Sequence, residues 1–141
     1  MIKDIVDRLL EAGTPFRIVG GAGALSSVKD RPPALPAAYV YSAAENSAPN
    51  ERATGPIVQR MTGDISVVIV TENLSGSDEW AAADEIENLK AFVRGRLIGF
   101  VAAGGDSDPL EHVSGELQQA VAGMIWFEDT FATARYLEEQ P

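Results

Sequence analysis

The residues able to do chemistry in this chain are few, and their spacing points away from catalysis. His112 is the one imidazole, the group best suited to move protons near neutral pH. It stands in a strand-like segment, and the serine nearest to it, Ser114, lacks the G-x-S-x-G turn that presents a nucleophile. His112 is therefore read as structural. The block Gly105-Asp106-Ser107-Asp108 has the texture of an esterase nucleophile block or half a calcium loop. The esterase block belongs near an N-terminus with leucine after its serine, and here Asp108 follows. A calcium loop closes on a glutamate at its twelfth position, where counting from Asp106 gives Leu117. A turn is the simpler reading. A hydrolase using Asp106 and Asp108 stays as a remote alternative.

The acids Glu72, Asp78, Glu79, Asp84, Glu85 and Glu87 could supply a carboxylate pair for glycoside chemistry. Asp84 and Glu85 are adjacent, however, and the group fits the solvated start of a helix. With no cysteine and one histidine, metal sites built on thiolate or imidazole are excluded by counting. The run Gly20-Gly21-Ala22-Gly23-Ala24-Leu25 matches neither glycine-rich phosphate fingerprint. It reads as a turn entering a short helix over 24–28. No catalytic residue, metal ligand or cofactor is expected.

The chain has 141 residues with 45% apolar and 23% charged side chains, the profile of one globular domain spanning 1–141. No window approaches the run of about 18 apolar residues that a membrane helix needs. Residues 1–12 mix charge and hydrophobe, unlike a secretory signal, so folding in a cytoplasm is expected. The net charge is −10, and it is uneven. Residues 1–60 sum to +1 (7 − 6), 61–96 to −4 (3 − 7), and 97–141 to −7 (1 − 8). Such a chain repels phosphate backbones. Solubility explains that, and so does a surface that stands beside DNA without gripping it.

Several elements would position these residues. Ile2, Ile5, Val6, Leu9 and Leu10 fall on one face of a helix over 2–12. Short strands are predicted at 16–19 and 37–42, joined by a stiff connector containing Asp30, Arg31, Pro32, Pro33 and Pro36. Residues 43–56 read as a long loop, either a mobile hairpin tip or an arm that reaches a neighbour. Residues 57–61 and 64–71 are strand-like, and Ile65 to Val70 suit a strand covered on both faces. Ser77 or Asp78 would cap the principal helix, which starts at Glu79. Its apolar face comprises Ala83, Ile86, Leu89, Val93, Leu97 and Phe100, with Trp80 as an anchor at its start; Gly95 and Gly99 weaken its end. Two strands, over 110–121 and 124–136, meet near Gly123, and Trp126 faces either core or partner. The sum is an α+β fold: a mixed, mainly antiparallel sheet with an N-terminal helix and one long helix packed on it.

This series resembles the tail terminator (tail completion) proteins of long-tailed bacteriophages. The resemblance rests on the Ile2–Leu10 helix, Gly20 to Leu25, Pro36 to Tyr41, and the pairs Glu45-Asn46 and Pro49-Asn50. It continues through Gln59, Val67 to Val70, the Asp84–Leu97 helix, Gly115-Glu116-Leu117, and Trp126 to Thr133. It implies a non-enzymatic subunit of a ring, typically a hexamer, at the head-proximal end of the virion tail. That ring would cap the tail tube, end its polymerisation and meet a head–tail connector protein, and DNA would pass without specific binding. A tube subunit or head–tail joining protein is the alternative. The resemblance carries no catalytic residue. Glu45, Asn50, Arg52 and Gln59, in or beside the arm, are the candidate contacts with a neighbour or with the tail tube protein; they also fit solvated loop residues.

Overall fold

The computed structural model describes residues 1–28, 31–72, 79–102, 106–121 and 123–141. Asp30 of the connector, residues 73–78 of the polar turn with the caps Ser77 and Asp78, and Gly105 lie outside them, as does the side chain of Glu79.

The organising element is β3 (Val58–Glu72), fifteen residues long. Its β-branched run alternates across the pleat, so Ile65, Val67 and Ile69 face one side while Val68 and Val70 face the other. Both sides are buried, as the apolar run predicts. Around it stand β1 (Ile18–Gly20), β2 (Ala37–Ser47), β4 (Glu111–Val121) and β5 (Met124–Glu138) in the order β1-β2-β3-β5-β4. β1 runs parallel to β2, and every other pairing is antiparallel. This is the expected α+β class with a mixed, mainly antiparallel sheet.

One face of the sheet carries α1 (Ile2–Leu9) and α3 (Glu79–Leu97). Ile5 and Leu9 of α1 and Ile86, Leu89, Val93 and Leu97 of α3 are buried against Ala38, Val40, Ile65, Val67, Ile69 and Phe131. The three- and four-residue spacing of these side chains makes the stripe, and each contributes about 1.5–3 kcal/mol by leaving water. Phe16 closes the layer edge-to-face on Phe92 at 5.9 Å. The opposite face is covered over Ala37, Tyr39, Val68 and Val70 by Leu25 of α2 (Ala22–Ser26), Val28 and Leu35.

Several boundaries differ from the sequence expectation. α1 stops at Leu9, and Leu10 is largely exposed. β1 begins two residues later than expected, and α2 two residues earlier. The segments 57–61 and 64–71 are one strand, because β5 gives β3 an unbroken ladder from Val58↔Glu138 to Glu72↔Met124. β2 runs to Ser47, five residues beyond the expected end, since Ala44, Glu45, Asn46 and Ser47 pair with 61–64 after an irregularity at Ser42/Ala44. Residues 43–47 are thus strand rather than loop. Trp80 is 73% exposed and does not anchor the core, which α3 enters at Ile86. Ala83 is likewise exposed. α3 ends before Gly99, whose φ of +83° turns the chain aside at little steric cost.

A carboxylate sits inside this apolar frame. Asp129 of β5 is 0% exposed. Arg94 of α3 donates to it through Nε (2.9 Å, to Oδ2) and Nη2 (2.8 Å, to Oδ1), and His112 Nε2 of β4 lies 3.0 Å from Oδ1. The bidentate bond raises the Arg94 guanidinium above its ordinary pKa and keeps it charged. His112 is a structural partner here, packed edge-on against Phe131 at 5.3 Å. Gly115 of β4 is paired with Asp129, and a Cβ at that position would lie 2.8 Å from Phe127 Cζ and 2.9 Å from Asp129 Oδ1. Replacing Arg94 by Ala should cost about 3–5 kcal/mol by leaving the buried carboxylate without its cation. Gly115→Ala should cost about 1–3 kcal/mol by overpacking. Urea titrations of both variants against the parent measure these losses, and unchanged midpoints would refute them.

Candidate assembly interface

The strands are unequal in length, and the mismatch builds the most distinctive surface. β1 accompanies β2 only through Tyr39, and β4 accompanies β5 no further than Ala132. β2, β3 and β5 continue together, with Ser47↔Met61 and Val58↔Glu138 as their last pairs. A three-stranded overhang therefore projects along the strand direction beyond β1 and β4. Residues 42–57 and 135–141 are exposed.

All four expected contact residues lie on this overhang. Glu45 is opposite Gly63 in β2. It borders an apolar groove of about 140 Å3 with Met1, Ile2, Met61, Ile65 and Arg135. Asn50 Oδ1 accepts the N–H of Val58 (3.2 Å) and of Arg52 (3.4 Å). Gln59 Nε2 donates to the Ala48 carbonyl at 3.1 Å. Asn50 and Gln59 thus close the loop on itself, as asparagine does by standing in for a backbone acceptor. Arg52 curls over Gly55, which has φ +88° and is spared a side chain where the guanidinium passes. Arg52 also borders a second depression, of about 320 Å3, with Glu51, Val58, Arg60 and Tyr136. The side chains of Glu45 and Arg52 have no hydrogen bond or ion pair among the described residues.

The sequence reading missed the β5 side of this surface. Arg60 donates to Asp108 at 2.7 Å and lies 5.8 Å from the Tyr136 ring centroid. The Asp108 bond, ahead of Tyr136, raises the Arg60 pKa. Arg135 and Tyr136 are distant in sequence from residues 43–60, and only the β3–β5 register joins them. A strand predicted to end at 136 and another starting at 57 hinted that both outrun their neighbours.

The segment suspected of hydrolytic chemistry is a structural turn. Buried Ser107 donates to the Ala102 carbonyl at 3.0 Å. Asp108 gives its N–H to Ala134 and receives Thr133 Oγ1 on its carbonyl, while Arg60 holds its carboxylate. Among the described residues, no three His, Cys, Asp or Glu side chains group to hold a metal ion. No described helix is long and apolar enough to cross a membrane. Trp126 is half-buried on the α2 side, and its Nε1 and the Tyr39 hydroxyl have no hydrogen-bond partner among the described residues.

Because Asn50 holds the loop, Asn50→Ala should speed amide hydrogen exchange at Arg52 and Val58 while leaving the core amides of β3 protected. Equal exchange in the variant and the parent would show that the side chain does not order the loop.

Comparison with known proteins agrees with this architecture. No curated protein matches the chain in sequence. Among solved structures, a chain of the "Virion of native gene transfer agent (GTA) particle" is similar in fold, with a TM-score of 0.51 and 20% identity. The match covers 96% of this chain and 84% of that one. The model of the family described as "Phage tail terminator protein" matches residues 2–141. The chain therefore belongs to the phage tail terminator protein family.

Proposed function

We propose that this phage tail structural protein acts as a closed ring, typically of six subunits, at the head-proximal end of the tail. The ring caps the tube, ends its polymerisation and offers a seat for the head connector. The family match across residues 2–141 carries the reading. The overhang supports it, since a rigid three-stranded projection suits contact with a second component better than a loose loop does. Glu45, Asn50, Arg52 and Gln59 are assigned to that projection, the first and third as contacts and the other two as its internal braces. The −10 charge suits a passage through which DNA moves without being held. The role is structural and requires neither turnover nor cofactor. The ring forms in the host cytoplasm and stays in the virion.

A heterologous ring closes when one face of a subunit complements another through a rotation that returns on itself. Capping then requires that its tube-facing surface match the last tube ring while its other surface does not accept another tube subunit. Light scattering on a sizing column with negative-stain microscopy, with and without purified tail tubes, tests this. Discrete rings or capped tube ends are expected. Replacing residues 49–56 by a short glycine turn should abolish capping with the fold intact. Unlimited tubes made by the protein alone would move it to the tube subunit.

A further inference from the structure

The two outer edges of the sheet differ in length, polarity and charge. β4 presents an outer edge of eleven residues with no lysine and no proline, the two residue types that most often blunt such an edge. Val113, Leu117 and Val121 are 55%, 55% and 57% exposed along it. Two irregularities, at His112/Ser114 and Leu117/Gln119, twist it without covering it. The edge is also purely acidic. β4 itself holds Glu111 and Glu116 and no Lys or Arg, a sum of 0 − 2 = −2. Glu116 is directly opposite Glu128, an arrangement that destabilises a strand pair. Glu128 is relieved by Tyr41 Oη at 2.8 Å and Gln118 Nε2 at 3.1 Å. Glu116 has no partner among the described residues.

The opposite edge has the complementary character. β1 covers β2 for three residues only, so the outer side of β2 beyond Tyr39 has no strand beside it. Arg17, directly before β1, is exposed and has no carboxylate partner among the described residues. Nearby Arg31 pairs with Glu72 at the surface. With Arg31 engaged by Glu72, Arg17 is the cation that this edge leaves available among the described residues.

We infer that the β4 edge docks on the β1–β2 edge of a second copy of this chain. The inference rests on the ring reading above and deepens it by naming the lateral contact. A β4–β4 contact would set Glu111 and Glu116 against themselves, so charge disfavours a two-fold dimer and favours head-to-tail association. The contact gives Glu116 a cation, pairs the open backbone edge of β4 and leaves no free β4 edge once the ring closes. The contact runs along β1 and the adjoining start of β2, whereas the tip of the overhang at 48–57 lies farther along the strands and stays free for the tube.

Charge complementation tests the contact. E111K/E116K should lose rings, and so should R17E/R31E, each keeping the parent's circular dichroism. An equimolar mixture should regain them, because every acidic edge then meets a basic one. Rings formed by either variant alone as readily as by the parent, or folded variants whose mixture stays dispersed, would overturn the contact. If a charge variant melts, the cysteine-free background allows E116C/R17C to be treated with a short bismaleimide. A ladder of covalent oligomers supports the contact, and absence of cross-links within parental-size rings overturns it. A parent protein that forms no ring, with or without tail tubes, would instead sink the ring reading.

Discussion

Asp129 is a carboxylate with no access to water, placed in the middle of β5 where β-branched and aromatic side chains dominate. Burial of such a charge is tolerable only with a cation and a full set of hydrogen bonds. Arg94 and His112 supply these from α3 and from β4, so one group ties the long helix, a sheet strand and the edge strand together. Gly115 leaves the room that the carboxylate and the Phe127 ring occupy. Apolar contacts alone would let α3 slide along the sheet, because hydrophobic burial has no direction. The bidentate geometry gives this packing a register.

Once α3 is fixed over β3 and β5, the lengths of the strands decide what is left outside. β1 and β4 flank only part of these long strands, and the remainder of β2, β3 and β5 stands out as the overhang. The same geometry strands β4 at the outer edge, nearly uncovered, with β1 too short to mirror it at the other end. An axial projection and two unlike lateral edges thus arise from the inequality of strand lengths. A subunit that must meet different neighbours along an axis and around it needs this asymmetry. A sheet with equal strands and two covered edges would offer none of it.

Much of this was legible in the chain. The alternating run from Ile65 to Val70 announced a strand buried on both faces, and the spacing of Ile86, Leu89, Val93 and Leu97 announced the helix above it. Trp80 was misread because a tryptophan at a helix start looks like an anchor, while the apolar face enters the core only six residues later, at Ile86. Residues 43–47 were misread because alanine, glutamate, asparagine and serine have weak strand propensity. Pairing with 61–64 outweighs that propensity.

Composition and spacing by themselves determined the class of fold, the acidity and the lack of thiol groups. These follow from local periodicity and from counting, which need no knowledge of distant neighbours. Tertiary structure alone decided that His112 and Arg94 share Asp129, that Arg135 and Tyr136 stand beside Arg60, and that Glu116 faces Glu128. It also showed Asn50 and Gln59 bracing their own loop. Each is a matter of strand register between segments tens of residues apart. A one-residue slip would send every side chain to the other face, and only the packed sheet selects among such registers.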